Sequence, residues 1–207
     1  MLGPADEREA ALSFVLAVLP LSLPLFDLEP FHGSALELPN GGALLVTGYP
    51  EAGKSTTAAA LRAAGLRFLA DDACAIDEDG LLWPGPPLLS ARSTRKGDET
   101  FANYDGKWVI AIHNHDASPR AVHATVVLRP ADGAELNVRA VSGREAIVTV
   151  LEQVRSPWVM PERRQQPQFH AAAELARHKV GLVSYEKGVH SPDEVAAAIA
   201  EWAGASA

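Results

Sequence analysis

The sequence predicts an α/β fold with a mixed central β-sheet flanked by helices, on three observations. A hairpin pattern, Ala35-Leu36-Glu37-Leu38 and Ala43-Leu44-Leu45-Val46-Thr47 about Pro39-Asn40-Gly41-Gly42, supplies antiparallel strands. The second of these strands feeds a glycine-bounded loop, Gly48 to Thr56, and the loop feeds an alanine-rich helix from Lys54 to Ala64 that ends at Gly65. A further strand, Arg67 to Ala70, follows at once and is read as a parallel neighbour of the loop strand, carrying Asp71 and Asp72 at its C-terminal end. At 207 residues and 47% hydrophobic the chain can bury a sizeable core, and its length suits one domain over 1–207.

Ahead of the hairpin, residues 1–30 are expected to form a short helix and an extended segment. Ala10 to Leu25 is apolar, but it opens with Asp6, Glu7, Arg8 and Glu9. Pro20 and Pro24 break the run before the roughly 20 residues that a spanning helix needs, so no membrane partner is expected. Beyond Gly80 a proline-rich, charged stretch from Trp83 to Glu99 shows no clear period. Strands are expected at Trp108 to Ile112, Ala121 to Leu128 and Ala134 to Val141. Ser142 followed by Glu145 has the form of a capping box opening a helix to about Arg155. A helix from about Gln168 to His178, a strand from Val180 to Ser184 and a final helix capped by Ser191, with Pro192 in first position, complete the order.

A net charge of −8 argues against a general nucleic-acid binder, which needs an electropositive face. Cys74 is the only cysteine, which excludes an intrachain disulfide and a thiolate cluster and suits a reducing cytoplasm.

The chemistry lies in the loop and the acids. Glycines at both ends, Gly48 and Gly53, let the backbone amides of Glu51, Ala52, Gly53 and the residues that follow turn toward one anion at a helix N-terminus. Lys54 reaches the outer phosphates of a nucleotide, Ser55 offers a hydroxyl to Mg2+, and Thr56 continues the loop into the helix. An Asp-Asp pair alone is weak, since Asp77, Glu78 and Asp79 lie close behind. Delivered to the same sheet edge as the loop, one carboxylate can hold Mg2+ while the other takes a proton from an attacking hydroxyl. Arg92, Arg95, Lys96 and Lys107 are candidates to meet charge on the transferring group, with Arg92 assigned to catalysis; Arg163 and Arg164 are candidates for an acidic substrate or a helix surface. His113-Asn-His115-Asp116 is read as turn chemistry ahead of Ser-Pro in preference to a metal site.

Three features in order, Phe31-His32-Gly33, the Gly48 to Thr56 loop, and Gly65-Leu-Arg-Phe-Leu-Ala-Asp71-Asp72, resemble the HPr kinase/phosphorylase family, whose core is related to phosphoenolpyruvate carboxykinase. The match spans roughly Phe31 to Ile76. It lacks the glycine-rich signature segment that follows the acids in the bifunctional enzymes, and their separate N-terminal domain. The chain is therefore more similar to shortened HPr-kinase-like proteins of bacterial biosynthetic clusters, including those acting on lasso-peptide precursors. The resemblance implies a P-loop kinase core, ATP and Mg2+, and an acceptor serine on a peptide or small protein, with a homo-oligomer open. It implies Asp71 as acid/base, Asp72 as a Mg2+ ligand and His32 as the neighbour that tunes the acid/base.

Within the kinase class a small hydroxylated metabolite is the competing acceptor. From another class comes a non-catalytic nucleotide switch. Its motifs would be Asp77-Glu-Asp-Gly80 and Arg95-Lys96-Gly97-Asp98, the latter approximating a guanine-reading sequence.

Overall fold

The computed structural model describes residues 4–95, 97–104, 106–113, 117–155 and 161–205; Lys96, His115 and Asp116 and the side chains of Arg163 and Arg164 lie outside what it describes. Among the described residues the architecture is α/β, a mixed nine-stranded sheet with helices on both faces and a separate three-stranded sheet beside it.

The chain opens with α1 (Pro4–Ser13), a π-helical turn at Phe14–Val18, α2 (Leu19–Ser22) and a 3-10 turn at Leu23–Phe26. The expected break at the prolines does not occur. Pro20 has no N–H for the carbonyl one turn back, but that carbonyl, Leu16 O, accepts instead from Arg155 Nη2 at 3.2 Å. The helical run thus continues to Phe26, where Asp27 in the left-handed region ends it.

Next come β1 (Glu29–Phe31), β2 (Gly33–Glu37), β3 (Ala43–Gly48), α3 (Lys54–Ala63) and β4 (Arg67–Asp71). The hairpin, the loop helix and the acid-bearing strand fall where expected. One correction concerns pairing. β2 is antiparallel to both β3 and β4 and stands between them, so β4 runs parallel to the loop strand without touching it. The consequence for the site survives, because two strands of the same direction still end on the same edge.

The stretch after the acids is more ordered than its composition suggests: β5 (Cys74–Ile76) and β6 (Leu81–Trp83) form a hairpin, and β7 (Leu88–Ala91) pairs with β9 (Lys107–Ala111), which also pairs β8 (Glu99–Tyr104). β10 (Arg120–Pro130) runs parallel to β3 on one side and to β12 (Lys179–Tyr185) on the other, with β11 (Asn137–Val141) antiparallel at the edge. α4 (Gly143–Leu151), α5 (Pro161–Leu175) and α6 (Pro192–Ala203) complete the chain. The box expected at Ser142 does not form, since its side chain makes no capping bond and Glu145 is drawn to Arg139 at 2.8 Å. The box at Ser191 does form, with Glu194 answering it.

Alternation on β3 divides the core. Leu44 and Val46 face one cluster with α3 and α6, while Ala43 and Leu45 face another with α4 and α5. Buried on both faces, β3 is held rigidly where it delivers Gly48 to the sheet edge. No helix among the described residues is long and apolar enough to cross a membrane.

Candidate active site

The loop is shaped by backbone that side chains resist. Gly48 has φ +147 and a Cβ there would lie 2.9 Å from Leu128 O; Gly53 has φ +98 and a Cβ there would lie 2.9 Å from Tyr185 Oη. Glu51, not a glycine, also takes a positive φ of 66, which is strain that its surroundings must hold. They do so from several elements. Tyr185 Oη donates to Ala52 O and Lys187 Nζ to Glu51 O, while Arg92 Nη2 pairs with Glu51 Oε1 at 2.5 Å. Arg129 lies over the Tyr49 ring, 4.8 Å from its centroid. An acidic protein has gathered cations around one loop.

Lys54 is buried, and its Nζ donates to the carbonyls of Gly48 and Tyr49, each at 3.0 Å. Burial lowers its pKa to about 8, against the opposing pull of Asp72 and then Asp71. Both carboxylates therefore lie near enough for their charge to act on the lysine.

Asp71 is the buried member of the pair. Its Oδ1 accepts from Ser34 Oγ at 2.5 Å and Ser55 Oγ at 3.0 Å, and its Oδ2 from Ser90 N at 2.9 Å. Burial nevertheless raises its pKa to about 6, more than these donors lower it. The carboxylate that Ser55 touches is thus Asp71, where the sequence reading grouped Ser55 with Asp72.

Asp72 turns the chain with φ 68 at the end of β4. Arg155 Nη1 donates to its Oδ2 at 2.6 Å and to its backbone oxygen at 2.8 Å. His32, set between β1 and β2 and tied by its N–H to Gln153 O at 2.9 Å, places Nδ1 3.1 Å from the same backbone oxygen. A carbonyl can only accept, so Nδ1 carries the proton and Nε2 keeps a lone pair. Burial, then the charge of Lys54, lowers the pKa of His32 to about 4, so the ring is neutral at pH 7. Its partner is Asp72, whereas the resemblance implied that His32 tunes Asp71.

Sequence-predicted residues therefore meet in one place: the loop with Arg92 at its rim, Lys54, Ser55, both acids and His32. Thr56 lies in the first turn of α3. Lys107 also contributes, its charge lowering the pKa of Lys54. Arg95 is drawn off to Asp193 at 2.6 Å. His113 pairs with Glu99 at 2.7 Å on the surface. Arg155, Tyr185 and Lys187 were missed, because each reaches the site from a distant strand or helix end that no local pattern marks.

The switch motifs have structural employment. Asp77 closes the β5–β6 turn, accepting from Asp79 N, Leu81 N and Trp83 Nε1. Asp98 is buried against Arg62 and accepts from Arg95 N at 2.7 Å.

The donor set suits a hard cation. It offers a serine hydroxyl and carboxylates beside the glycine loop, oxygen ligands of the kind that Mg2+ takes. No group of three or more His, Cys, Asp or Glu side chains arranged for a metal occurs among the described residues. Cys74 is buried, its thiol pushed well up by burial, and takes no part.

No family model and no curated protein matches the chain. Among solved structures it is similar to the Hpr(Ser) kinase/phosphatase from Coxiella burnetii, at 15% identity over 84% of this chain and 95% of that one, with a TM-score of 0.40. At that score the likeness adds nothing to the chemistry, which rests on the site's own side chains.

Proposed function

We propose that this protein is a Mg2+- and ATP-dependent kinase that transfers the γ-phosphoryl group to a hydroxyl, the acceptor being a serine of a peptide or small protein. One contact supports this most: Ser55 Oγ donates to Asp71 Oδ1 at 3.0 Å, which ties the phosphate loop to the acid pair. A loop that merely bound an anion would have no use for a carboxylate there.

The amides of Glu51 to Thr56 and the N-terminus of α3 hold the phosphates, and Lys54 swings from the carbonyls of Gly48 and Tyr49 to the outer ones. Ser55 and Asp72 would hold Mg2+, which would neutralise charge on the phosphates. Ser55 donates its proton to Asp71 and so leaves its lone pairs available to a cation. Asp71, at a pKa of about 6, is ionised at pH 7 and close enough to neutrality to take the acceptor's proton. Neutral His32 and the Arg155 guanidinium fix Asp72 from behind. Arg92, paired with Glu51 at the loop rim, meets the charge on the transferring group.

The test is incubation with γ-labelled ATP, Mg2+ and a library of serine peptides. Label should move to serine, and Asp71→Asn should stop it while ATP still binds. Tight GTP binding with no labelled acceptor would overturn the reading in favour of a switch. Labelling of small alcohols but of no peptide would overturn the acceptor.

A further inference from the structure

Beside the acid pair lies a cavity of about 410 Å³ whose lining includes both Asp71 and Asp72. None of the loop residues Gly48 to Thr56 lines it. Asp71 thus meets the loop through Ser55 and also, with Asp72, lines a space to which the loop does not contribute.

The cavity is otherwise apolar. One wall is the N-terminal helical run, with Val15, Leu19 and Leu23; the other comes from 83–88, with Trp83 and Pro84. Apart from the two aspartates no charged residue lines it. Arg155 locks the first wall to the acids, one nitrogen on Leu16 O at 3.2 Å and the other on Asp72 Oδ2 at 2.6 Å. Trp83 is 44% exposed, which puts it at the rim, and its Nε1 is held by Asp77 Oδ2 at 2.8 Å. The volume falls in the range of ligand sites, which run from about 300 to 1,000 Å³.

We infer that this cavity selects the acceptor, taking a bulky apolar side chain next to the serine in the peptide while the serine hydroxyl sits at the acid pair. The inference rests on the kinase reading and adds to it the class of peptide. In-line transfer needs the acceptor opposite the nucleotide's leaving group, and the cavity is a space that both acids line and the loop does not. A polar neighbour entering it would lose water and find only carboxylates, whereas a leucine or phenylalanine gains buried area. The peptide backbone stays at the open rim by Trp83, where its own polar groups remain hydrated. The helical run thus supplies the specificity wall, and its anchoring by Arg155 keeps that wall in register with the chemistry.

Two pentapeptides test this, acetyl-Gly-Leu-Ser-Leu-Gly-amide and its Asn-for-Leu counterpart, together with cyclohexylmethanol as a free apolar alcohol. Binding is read by tryptophan fluorescence without nucleotide, and transfer is then read with Mg2+ and ATP. The leucine peptide should bind at least about tenfold more tightly than the asparagine peptide. Leu19→Asp, which makes the wall polar, and Val15→Trp, which fills the space, should each remove that advantage while Mg2+·ATP affinity stays at the wild-type value and certifies the fold. Equal binding of the two peptides, a preference that survives both variants, or binding of the alcohol but not of the leucine peptide overturns the inference. Selective, cavity-dependent binding of the leucine peptide without any phosphoryl transfer upholds the cavity and overturns the kinase reading instead.

Discussion

The two sides of the acid pair are built from opposite materials. On the loop side stand backbone amides and cations, Lys54, Arg92, Arg129 and Lys187, gathered by a chain whose net charge is −8. On the cavity side stand leucines, prolines and a tryptophan, with no charge apart from the two acids. The contrast teaches how one small site could handle two unlike substrates. A polyanion is recognised by fixed donors and charge, an acceptor by the area it buries, and the carboxylates are the one element both share.

The largest expected effect falls on the shared element. Asp71→Asn should lower transfer by about 10²- to 10⁴-fold in steady-state assays, with ATP affinity within about a factor of three of wild type. Next comes the loop side alone. Gly53→Ala forces a Cβ to within 2.9 Å of Tyr185 Oη at φ +98 and should weaken ATP binding by roughly 10- to 100-fold in a calorimetric titration, without altering peptide binding. The link between the sides comes third. Arg155→Met removes the guanidinium from both Asp72 and Leu16 O, and should raise the acceptor KM several-fold and, through the loosened Asp72, the Mg2+·ATP KM as well. It should also cost about 1–2 kcal/mol in urea unfolding, because the pair is partly solvated.

A subtler effect lies within the site. Asp71 has a folded pKa of about 6 against an ordinary 3.8, so the unfolded chain ionises first and stability falls as pH rises from about 4 to about 6. His32 has a folded pKa of about 4 against an ordinary 6.5, so the unfolded chain holds more protons in that interval and stability rises with pH. The two slopes oppose each other. Relative to wild type, denaturation at stepped pH should show Asp71→Asn gaining stability with rising pH between 4 and 6, and His32→Asn losing it. The smallest effect is a control at a residue that neither forms the loop nor lines the cavity: Ser191→Ala breaks the capping box of α6 and should cost about 1 kcal/mol with no change in either KM.

What could be read in the sequence was what is local. The hairpin, the glycine loop, the helix behind it and the twin acids are each written in consecutive residues, and they landed within a residue or two of their expected bounds. The mixed α/β sheet followed from their order. What depended on distant partners was not legible. Pro20 read as a helix end because nothing nearby announces that Arg155, more than a hundred positions on, will take the carbonyl it leaves. Ser142 read as a cap because its rival for Glu145, Arg139, sits on a strand edge. The insertion of β2 between β3 and β4 was invisible for the same reason, since alternation gives a strand's faces and not its neighbours. Tyr185 and Lys187 reach the loop only once β12 is laid beside β10.

Whether loop and acids converge on one metal-bound triphosphate is decided with Mn2+ in place of Mg2+, by paramagnetic resonance of Mn2+·ATP bound to wild type, Ser55→Ala and Asp72→Asn. Both variants should weaken Mn2+ binding in the ternary complex by at least about tenfold and change the signal of the bound ion. Binding and signal unchanged by loss of Asp72, with only Ser55→Ala affecting them, would contradict that convergence.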